Sequence, residues 1–320
     1  MNNRIAIVIP YYQKQQGILS KAIRSVLAQT GVSDWHCIIV DDASPVPARS
    51  ELASIIDAHA ARITIIEQAN AGPAAARNKA LENIPAGTQY VAFLDSDDEW
   101  TDEHLANALT ALEQGYDFYF TDHYQLNQTV SAFKRAKRIQ VEQHRQLSGN
   151  PHLHAYEGDM FDQILRGNII GTSTVVYRYA SFPQQRFREE FVYAGEDYLF
   201  WLDLSRATPR IAFSDLIECK YGEGVNIFAG SGWGTEKSLI RLHHEMKYRK
   251  AVARLFPLNA QQALENRRIV RGLRKSFVAD VLHRLMHRKP MDGVLTKQFD
   301  VDPLSFVNFV PLAISVLLRR

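Results

Sequence analysis

The sequence predicts an α/β fold: a central, mainly parallel sheet with helices on both faces, followed by a helical C-terminal extension. Three observations carry this. Short apolar runs alternate with amphipathic ones from residue 4 to about 126, the pattern of βαβ units. The 320 residues are 46% hydrophobic and 22% charged, which suits a large buried core and excludes a disordered chain, a collagen-like repeat or a polytopic membrane protein. The net charge of +2 conceals a split. Residues 1–230 carry 20 Lys and Arg against 28 Asp and Glu, whereas residues 231–320 carry 17 against 7. At roughly 150 residues per domain, two domains are expected, 1–230 and 231–320.

RIAIVIP (4–10) reads as a strand buried on both faces. Leu19, Ala22, Ile23, Val26 and Leu27 then share one face of a helix. A strand over 36–42, a helix near 47–60 opened by Pro47, and a strand over 62–67 follow. Residues 71–81 read as a loop and then a helix, 90–95 as a fourth strand, 102–114 as a helix and 117–126 as another strand. On such sheets ligands gather at the carboxyl ends of the strands. Residues 128–157, polar and rich in His and Arg, read as an insertion or mobile loop. A strand over 171–179 and a helix over 196–206 complete the body.

In the extension, 235–288 is helical. Val270, Leu273, Phe277, Val281 and Leu285 make an apolar stripe, with Arg267, Arg268, Arg271, Arg274 and Lys275 around the rest. Residues 303–318 form a 16-residue uncharged run closed by Arg319 and Arg320 and interrupted by Asn308 and Pro311. It is shorter than the roughly 20 residues that span a bilayer, so a buried or interfacial segment is expected. The six apolar residues after Arg4 are too few for a signal-peptide core, and Cys37 and Cys219 read as buried free thiols of a reducing compartment. A cytoplasmic location is expected.

Three acidic clusters stand where chemistry is expected. Asp41-Asp42 ends the second strand, where a carboxylate can accept from a base N–H or a ribose hydroxyl while Tyr12 stacks on the base. Equally, Asp42 and Ser44 can cap the next helix. In FLDSDDEW (93–100), Asp95 and Asp97 point to one side of a strand end. So many carboxylates suit a hard divalent cation, Mg²⁺ or Mn²⁺, though a solvated acidic loop has the same composition. In GEDYLFWLDL (195–204), Glu196 and Asp197 precede a helix, as a cap or as a base for an incoming hydroxyl.

In this order, IPYY, VDDAS, NAGPAAARN, LDSDDEW and GEDYLFW resemble the family-2 glycosyltransferases, inverting enzymes of the GT-A fold, over roughly residues 4–205. The resemblance implies that Pro10 and Tyr12 line the base pocket, that Asp42 hydrogen-bonds the base edge and that Arg77 lies near the nucleotide. Asp95, Ser96 and Asp97 become the D-x-D segment, with Asp97 ligating Mn²⁺ or Mg²⁺ and Asp95 supporting the ribose and the metal. Asp197 matches the general base, with Glu196 its rival by spacing to Trp201. Gln13 stands where the family commonly has Asn, so the loop 13–17 is atypical. The implied reaction moves a sugar from a nucleotide-diphosphate donor, UDP-linked, to a glycan or polyprenyl-linked acceptor in bacterial surface-polysaccharide synthesis.

Two other classes compete. A nucleotidyltransferase would want a glycine-rich phosphate loop with a lysine, which PYYQKQQG supplies poorly; a non-catalytic nucleotide-sugar binder would bind without turnover. The basic extension suits peripheral contact with the inner face of the cell membrane, or a subdomain that packs or dimerises. No nucleic-acid reader motif accompanies it, so no nucleic acid is expected as a partner. GSGWGTEKS (230–238) reads as a lid or a connection near the site, and His243 and His244 as a packed or solvated pair rather than metal ligands.

Overall fold

The computed structural model describes residues 4–125, 128–225, 232–291 and 293–318. In chain order the elements are β1 (Ile5–Tyr11), α1 (Ile18–Leu27), β2 (Trp35–Asp41), α2 (Ala48–Glu51), α3 (Ala53–His59), β3 (Ile63–Glu67), α4 (Pro73–Glu82), β4 (Tyr90–Phe93), β5 (Glu99–Trp100), α5 (His104–Glu113) and β6 (Phe118–Tyr124). Then come α6 (Ala132–Ala136), β7 (Arg145–Gln146), β8 (Leu153–Ala155), α7 (Met160–Arg166), β9 (Val176–Tyr177), α8 (Glu196–Ala207) and β10 (Ile211–Lys220). Helices α9 (Ser238–Leu255), α10 (Ala260–Met286), α11 (Val294–Val301), α12 (Leu304–Val307) and α13 (Phe309–Leu317) follow. The chain forms two compact units, Met1–Glu189 with Phe200–Val225, and Glu190–Leu199 with Asn226–Arg320.

Among the described residues the first unit holds one sheet in the order β3-β2-β1-β4-β9-β6-β10-β8-β7, with β5 on β10. Strands β3, β2, β1 and β4 run parallel. Ile5 through Ile9 and Cys37 through Val40 are buried, the continuous apolar runs of strands covered on both faces. The register sets Tyr11 level with Asp41, and Asp41 level with Glu67. Tyr12, Asp42 and Gln68 therefore leave the sheet side by side. Both cysteines are free and buried, and burial pushes the Cys37 thiol well up.

Several expectations change. Residues 128–157 are not a loose loop: Leu153, His154 and Ala155 are buried and pair antiparallel with Ser214, Phe213 and Ala212. The strand expected over 171–179 shrinks to Val176–Tyr177, antiparallel to β4 and β6, because Thr172–Thr174 form a 3₁₀ turn. The strand expected over 117–126 ends at Tyr124, and its last position lies outside the described residues. Strand β10 was not anticipated, yet it pairs with β6, β8 and β5. Its Glu218 is buried and gathers three side chains: the Tyr119 hydroxyl lies 3.0 and 3.1 Å from its two oxygens, Asn107 Nδ2 donates at 2.9 Å and His104 Nδ1 pairs at 3.0 Å.

The second unit has its own core of Leu239, Leu242, Met246, Val270, Leu273, Phe277, Val281 and Val294. Asn259 opens α10 with a capping box to Gln262. Leu285, expected in the apolar stripe, is exposed. Arg274, expected among the solvated charges, instead pairs with buried Asp302 at 2.7 Å, as does Lys250 at 2.9 Å. Burial alone would raise the Asp302 carboxyl, but hydrogen bonds from Arg274, Ser305 and Lys250 hold it at about 2.

Replacing Glu218 by Ala would orphan three buried partners, each costing about 1–3 kcal/mol. Urea unfolding should show a loss of about 3 kcal/mol or more; a change below about 1 kcal/mol would contradict the network's role.

Candidate active site

The pair Asp41-Asp42 divides its work. Asp41 accepts from the Ser44 N–H at 2.8 Å and the Ala48 N–H at 2.7 Å, so it, and not Asp42, ties the loop to the start of α2. Asp42 turns the other way and accepts from Gln68 Nε2 at 2.7 Å and the N–H groups of Ala71 and Gly72 at 2.8 Å. It thereby shapes the loop that delivers α4. Ala43 between the two sides sits at φ 55°, a strained conformation for a residue with a Cβ. Tyr12 and Pro10 lie half-buried beside this loop at the end of β1.

Helix α4 packs against β1 and β2 and places Arg77, 3% exposed, where its Nη2 donates to Asp95 Oδ1 at 2.7 Å. Its neighbour Asn78 clamps Phe187 and Glu189: Asn78 Nδ2 donates to the Phe187 carbonyl at 2.9 Å and to Glu189 Oε1 at 2.8 Å, and Asn78 Oδ1 accepts from the Phe187 N–H. The strand-to-loop passage after β4 is held by Ser173. Its hydroxyl accepts from the Asp95 N–H at 2.9 Å and donates to Asp98 Oδ2 at 2.5 Å. The 3₁₀ turn that interrupts the expected strand is what brings Ser173 there.

The remaining contacts come from Gln13 and from the loop after β10. Gln13 is buried; its Nε2 donates to Ser96 Oγ at 3.1 Å and its Oε1 accepts from the Val225 N–H at 3.1 Å. Its main chain exchanges hydrogen bonds with the Ser44 hydroxyl. The residue that made the loop atypical thus joins the ends of β1, β2, β4 and β10. The Gly222 N–H donates to Asp98 Oδ1 and the Gly224 N–H to Asp97 Oδ2, both at 3.1 Å. A Cβ on Gly222 would overlap the Asp97 carbonyl oxygen, and one on Gly224 the Asp97 carboxylate. Only glycine admits this approach.

Burial and the Asp95 carboxylate push Asp97 up to about 6, against hydrogen bonds from its own N–H and that of Gly224. Burial, Asp95 and Asp97 push Asp98 further up, against Ser173 and Gly222. Added positive charge would relieve this repulsion, so the residues fit a divalent cation that takes its other oxygens from a diphosphate and water. Asp97 would be the carboxylate to meet it, because Asp95 already carries Arg77 and Asp98 is buried on Ser173 and Gly222. Among the described residues no three His, Cys, Asp or Glu side chains form a metal-binding group by themselves.

Glu196 and Asp197 belong to the second unit. They start α8, where Asp197 Oδ1 accepts from the Tyr198 N–H at 2.7 Å. Both line a pocket of about 350 Å³ together with Ala194, Gly195, Tyr198, Arg241, Glu245 and Tyr248. Gly195 has φ 97°, and a Cβ there would strike the Tyr248 ring and its Cβ, so the glycine of the GED segment is a packing requirement. His243 and His244 are packed: His243 Nδ1 pairs with Gln298 Oε1 at 2.9 Å, and His244 lies 4.6 Å from the Tyr193 ring. The described part of 230–238 is anchored by Arg284 of α10 and by Lys289 just beyond that helix, while residues 230 and 231 lie outside the described residues, as do Arg319 and Arg320.

Sequence reasoning missed Gln13 as a bridge, Asn78, Ser173, Gly222 and Gly224. The two glycines in YGEGV were the available signal.

Comparison with known proteins places the chain in a family. A family model described as Glycosyl transferase family 2 matches residues 6–181. The succinoglycan biosynthesis protein ExoW of Rhizobium meliloti (strain 1021) is 38% identical over 232 residues, 70% of this chain and 70% of that protein. An uncharacterized glycosyltransferase of Rickettsia conorii is 29% identical over 71% of this chain, which spans 34% of its length. Among solved structures, S. aureus TarS 1-349 in complex with UDP-GlcNAc superposes with a TM-score of 0.56 at 16% identity, over 99% of this chain and 92% of that one. The mannosyltransferase PcManGT of Pyrobaculum calidifontis, in complex with GDP-Man and Mn²⁺, gives 0.60 at 13%, over 99% and 86%. These two share the fold. The chain belongs to glycosyl transferase family 2 and is a glycosyltransferase.

Gly224→Ala sets a Cβ against both the Asp97 carboxylate and its Cβ, so the loop after β10 has to shift away from the end of β4, and thermal unfolding checks that the variant still folds. UDP binding with Mn²⁺, followed by titration calorimetry, should weaken about ten-fold, equivalent to about 1.4 kcal/mol. Unchanged affinity would remove the loop from the site.

The raised Asp97 carboxyl also sets a pH dependence. The fold binds this proton more tightly than the unfolded chain does, so its contribution to stability is full below about 3.8 and is lost as pH rises through about 6. In thermal unfolding without metal, Asp97→Asn should be more stable than the parent at pH 7, and the difference should close by pH 4. A variant less stable at pH 7 would contradict this assignment.

Proposed function

We propose that this glycosyltransferase moves a sugar from a UDP-linked donor to a hydroxyl of a glycan or polyprenyl-linked acceptor in surface-polysaccharide synthesis, with inversion at the anomeric carbon. The observation that carries this reading is the acidic segment at the end of β4, where Asp97 is pressed against the Gly222–Gly224 loop and Asp95 is held by Arg77. The description of ExoW as a succinoglycan biosynthesis protein supports the setting, and the bound UDP-GlcNAc of TarS supports the donor class. Family membership favours sugar transfer over the nucleotidyltransferase and non-catalytic readings.

In this mechanism Tyr12 and Pro10 line the side of the base, and Asp42 holds the loop Gln68–Gly72 against it. Arg77 fixes Asp95 at the ribose side, and Ser96, tied to Gln13, keeps Asp95 and Asp97 on one face. A divalent cation, Mn²⁺ or Mg²⁺, held by Asp97 would supply positive charge to the leaving diphosphate. Asp197, which lines its pocket, takes the proton of the acceptor hydroxyl. The acceptor oxygen forms its bond to the anomeric carbon as the carbon–oxygen bond to the diphosphate breaks, and UDP leaves with that electron pair. Arg241, Glu245 and Tyr248 line the same pocket and would meet the acceptor's polar groups.

Transfer assays with a donor panel should show Asp97→Ala and Asp197→Asn each slowed by roughly 100-fold or more, the scale of a lost electrostatic contact or general base. Asp197→Asn should still bind UDP, and Glu196→Gln should keep most activity. The opposite result at these two positions would make Glu196 the base, and hydrolysis or transfer from none of the donors would overturn the reaction itself.

A further inference from the structure

Helices α12 and α13 carry apolar side chains on both faces. Phe306 and Phe309 pack against the core of the second unit, as expected of a buried run. The opposite face is made of Pro303, Leu304, Val307, Val310, Pro311, Ile314, Leu317 and Leu318, all exposed and spaced three or four apart. Val307 is 73% exposed, Val310 66% and Leu318 82%. A helical face of this kind in contact with water marks a surface that something else covers. Among the described residues no helix is long and apolar enough to cross a membrane, and a short helix with one apolar face suits lying along a surface.

The neighbouring helix says what covers it. Lys275 of α10 donates to Ser315 Oγ of α13 at 3.1 Å. Arg271, Arg268 and Leu264 share the Lys275 stripe at intervals of three and four residues, so Arg268 lies about 10 Å further along the α10 axis. Arg267, Arg268 and Arg271 are exposed and make no ion pair among the described residues. Of the acids near α10, Asp280 is used on Arg284 and Asp302 on Arg274 and Lys250, which leaves Glu265 of α10, three residues before Arg268, as one carboxylate against Arg267, Arg268 and Arg271. An apolar helix face beside a row of arginines in excess over acid matches a bilayer with anionic headgroups. A second copy of the chain would bring a second row of like charge to the same place.

We propose that the face of α12 and α13, with Arg267, Arg268 and Arg271 of α10, docks the protein on an anionic lipid surface. Val310 and Ile314 enter the headgroup–acyl boundary, and the arginines meet lipid phosphates. This inference stands apart from the proposed reaction, since a transferase with a freely diffusing acceptor would need no such face.

The test is flotation of the full chain with vesicles of phosphatidylcholine alone or with 30% phosphatidylglycerol, read beside sedimentation velocity without lipid. The parent should float with the mixed vesicles only, and less in high salt. The Val310→Asp, Ile314→Asp double variant should stay in the soluble fraction. The Arg267→Gln, Arg268→Gln, Arg271→Gln triple variant should partition roughly a hundred-fold more weakly, the change expected for three charges near headgroups. Both variants alter exposed positions, and circular dichroism with thermal unfolding checks that they fold. A parent that never floats, or an aspartate variant that floats as the parent does, overturns the proposal. So does a dimer abolished by the aspartates in the absence of lipid binding, which would assign the face to a second copy.

Discussion

Three carboxylates in four residues, Asp95, Asp97 and Asp98, leave water at the end of a buried strand, and their mutual repulsion has to be contained. Each receives a different answer. Asp95 takes the Arg77 guanidinium, Asp98 is buried on the Ser173 hydroxyl and the Gly222 N–H, and Asp97 has backbone donors, its own N–H and that of Gly224. Asp98 is the most strongly perturbed and is walled in, whereas Asp97 has neither a guanidinium nor a hydroxyl partner, which makes it the carboxylate proposed to serve a positively charged ligand. In the proposed reaction a cation and its diphosphate would relieve this repulsion.

That containment explains why the parts of the first unit sit where they do. The shared register of β1, β2 and β3 sends Tyr12, Asp42 and Gln68 out together, and Asp42 fixes the approach to α4, which carries Arg77. Gln13 joins the same loops to Ser96 and Val225. The 3₁₀ turn at Thr172–Thr174 costs a strand its length but turns Ser173 toward the acids. On the far side Glu218 of β10 is tied to Asn107, Tyr119 and His104, and the His104 ring lies 4.6 Å from that of Trp100, whose indole N–H donates to the Ser173 carbonyl.

Much of this was legible before any coordinates. The apolar runs of β1, β2 and β4 and the acidic strand ends are local features, and local features survive into the fold. What was not legible depends on partners far along the chain. Strand β10 has a charged, irregular pattern because Glu218 faces a polar network inside the protein and not solvent. Residues 128–157 read as loose because β7 and β8 are only two and three residues long, too short for a period-2 signal. Gln13 looked like a departure, and its role appears only when Ser96 and Val225, 83 and 212 residues away, are in place. Asp41 and Asp42 could not be told apart, since a turn decides which carboxylate faces which loop.

In the proposed reaction Asp97 is the carboxylate that would serve the donor's diphosphate and its cation. Crystals grown with UDP and Mn²⁺, with data collected at the manganese edge, test this directly. An anomalous peak is expected between the Asp97 carboxylate and the diphosphate, with the base beside Tyr12. UDP bound with its diphosphate away from the end of β4, or manganese held by other side chains, would contradict it.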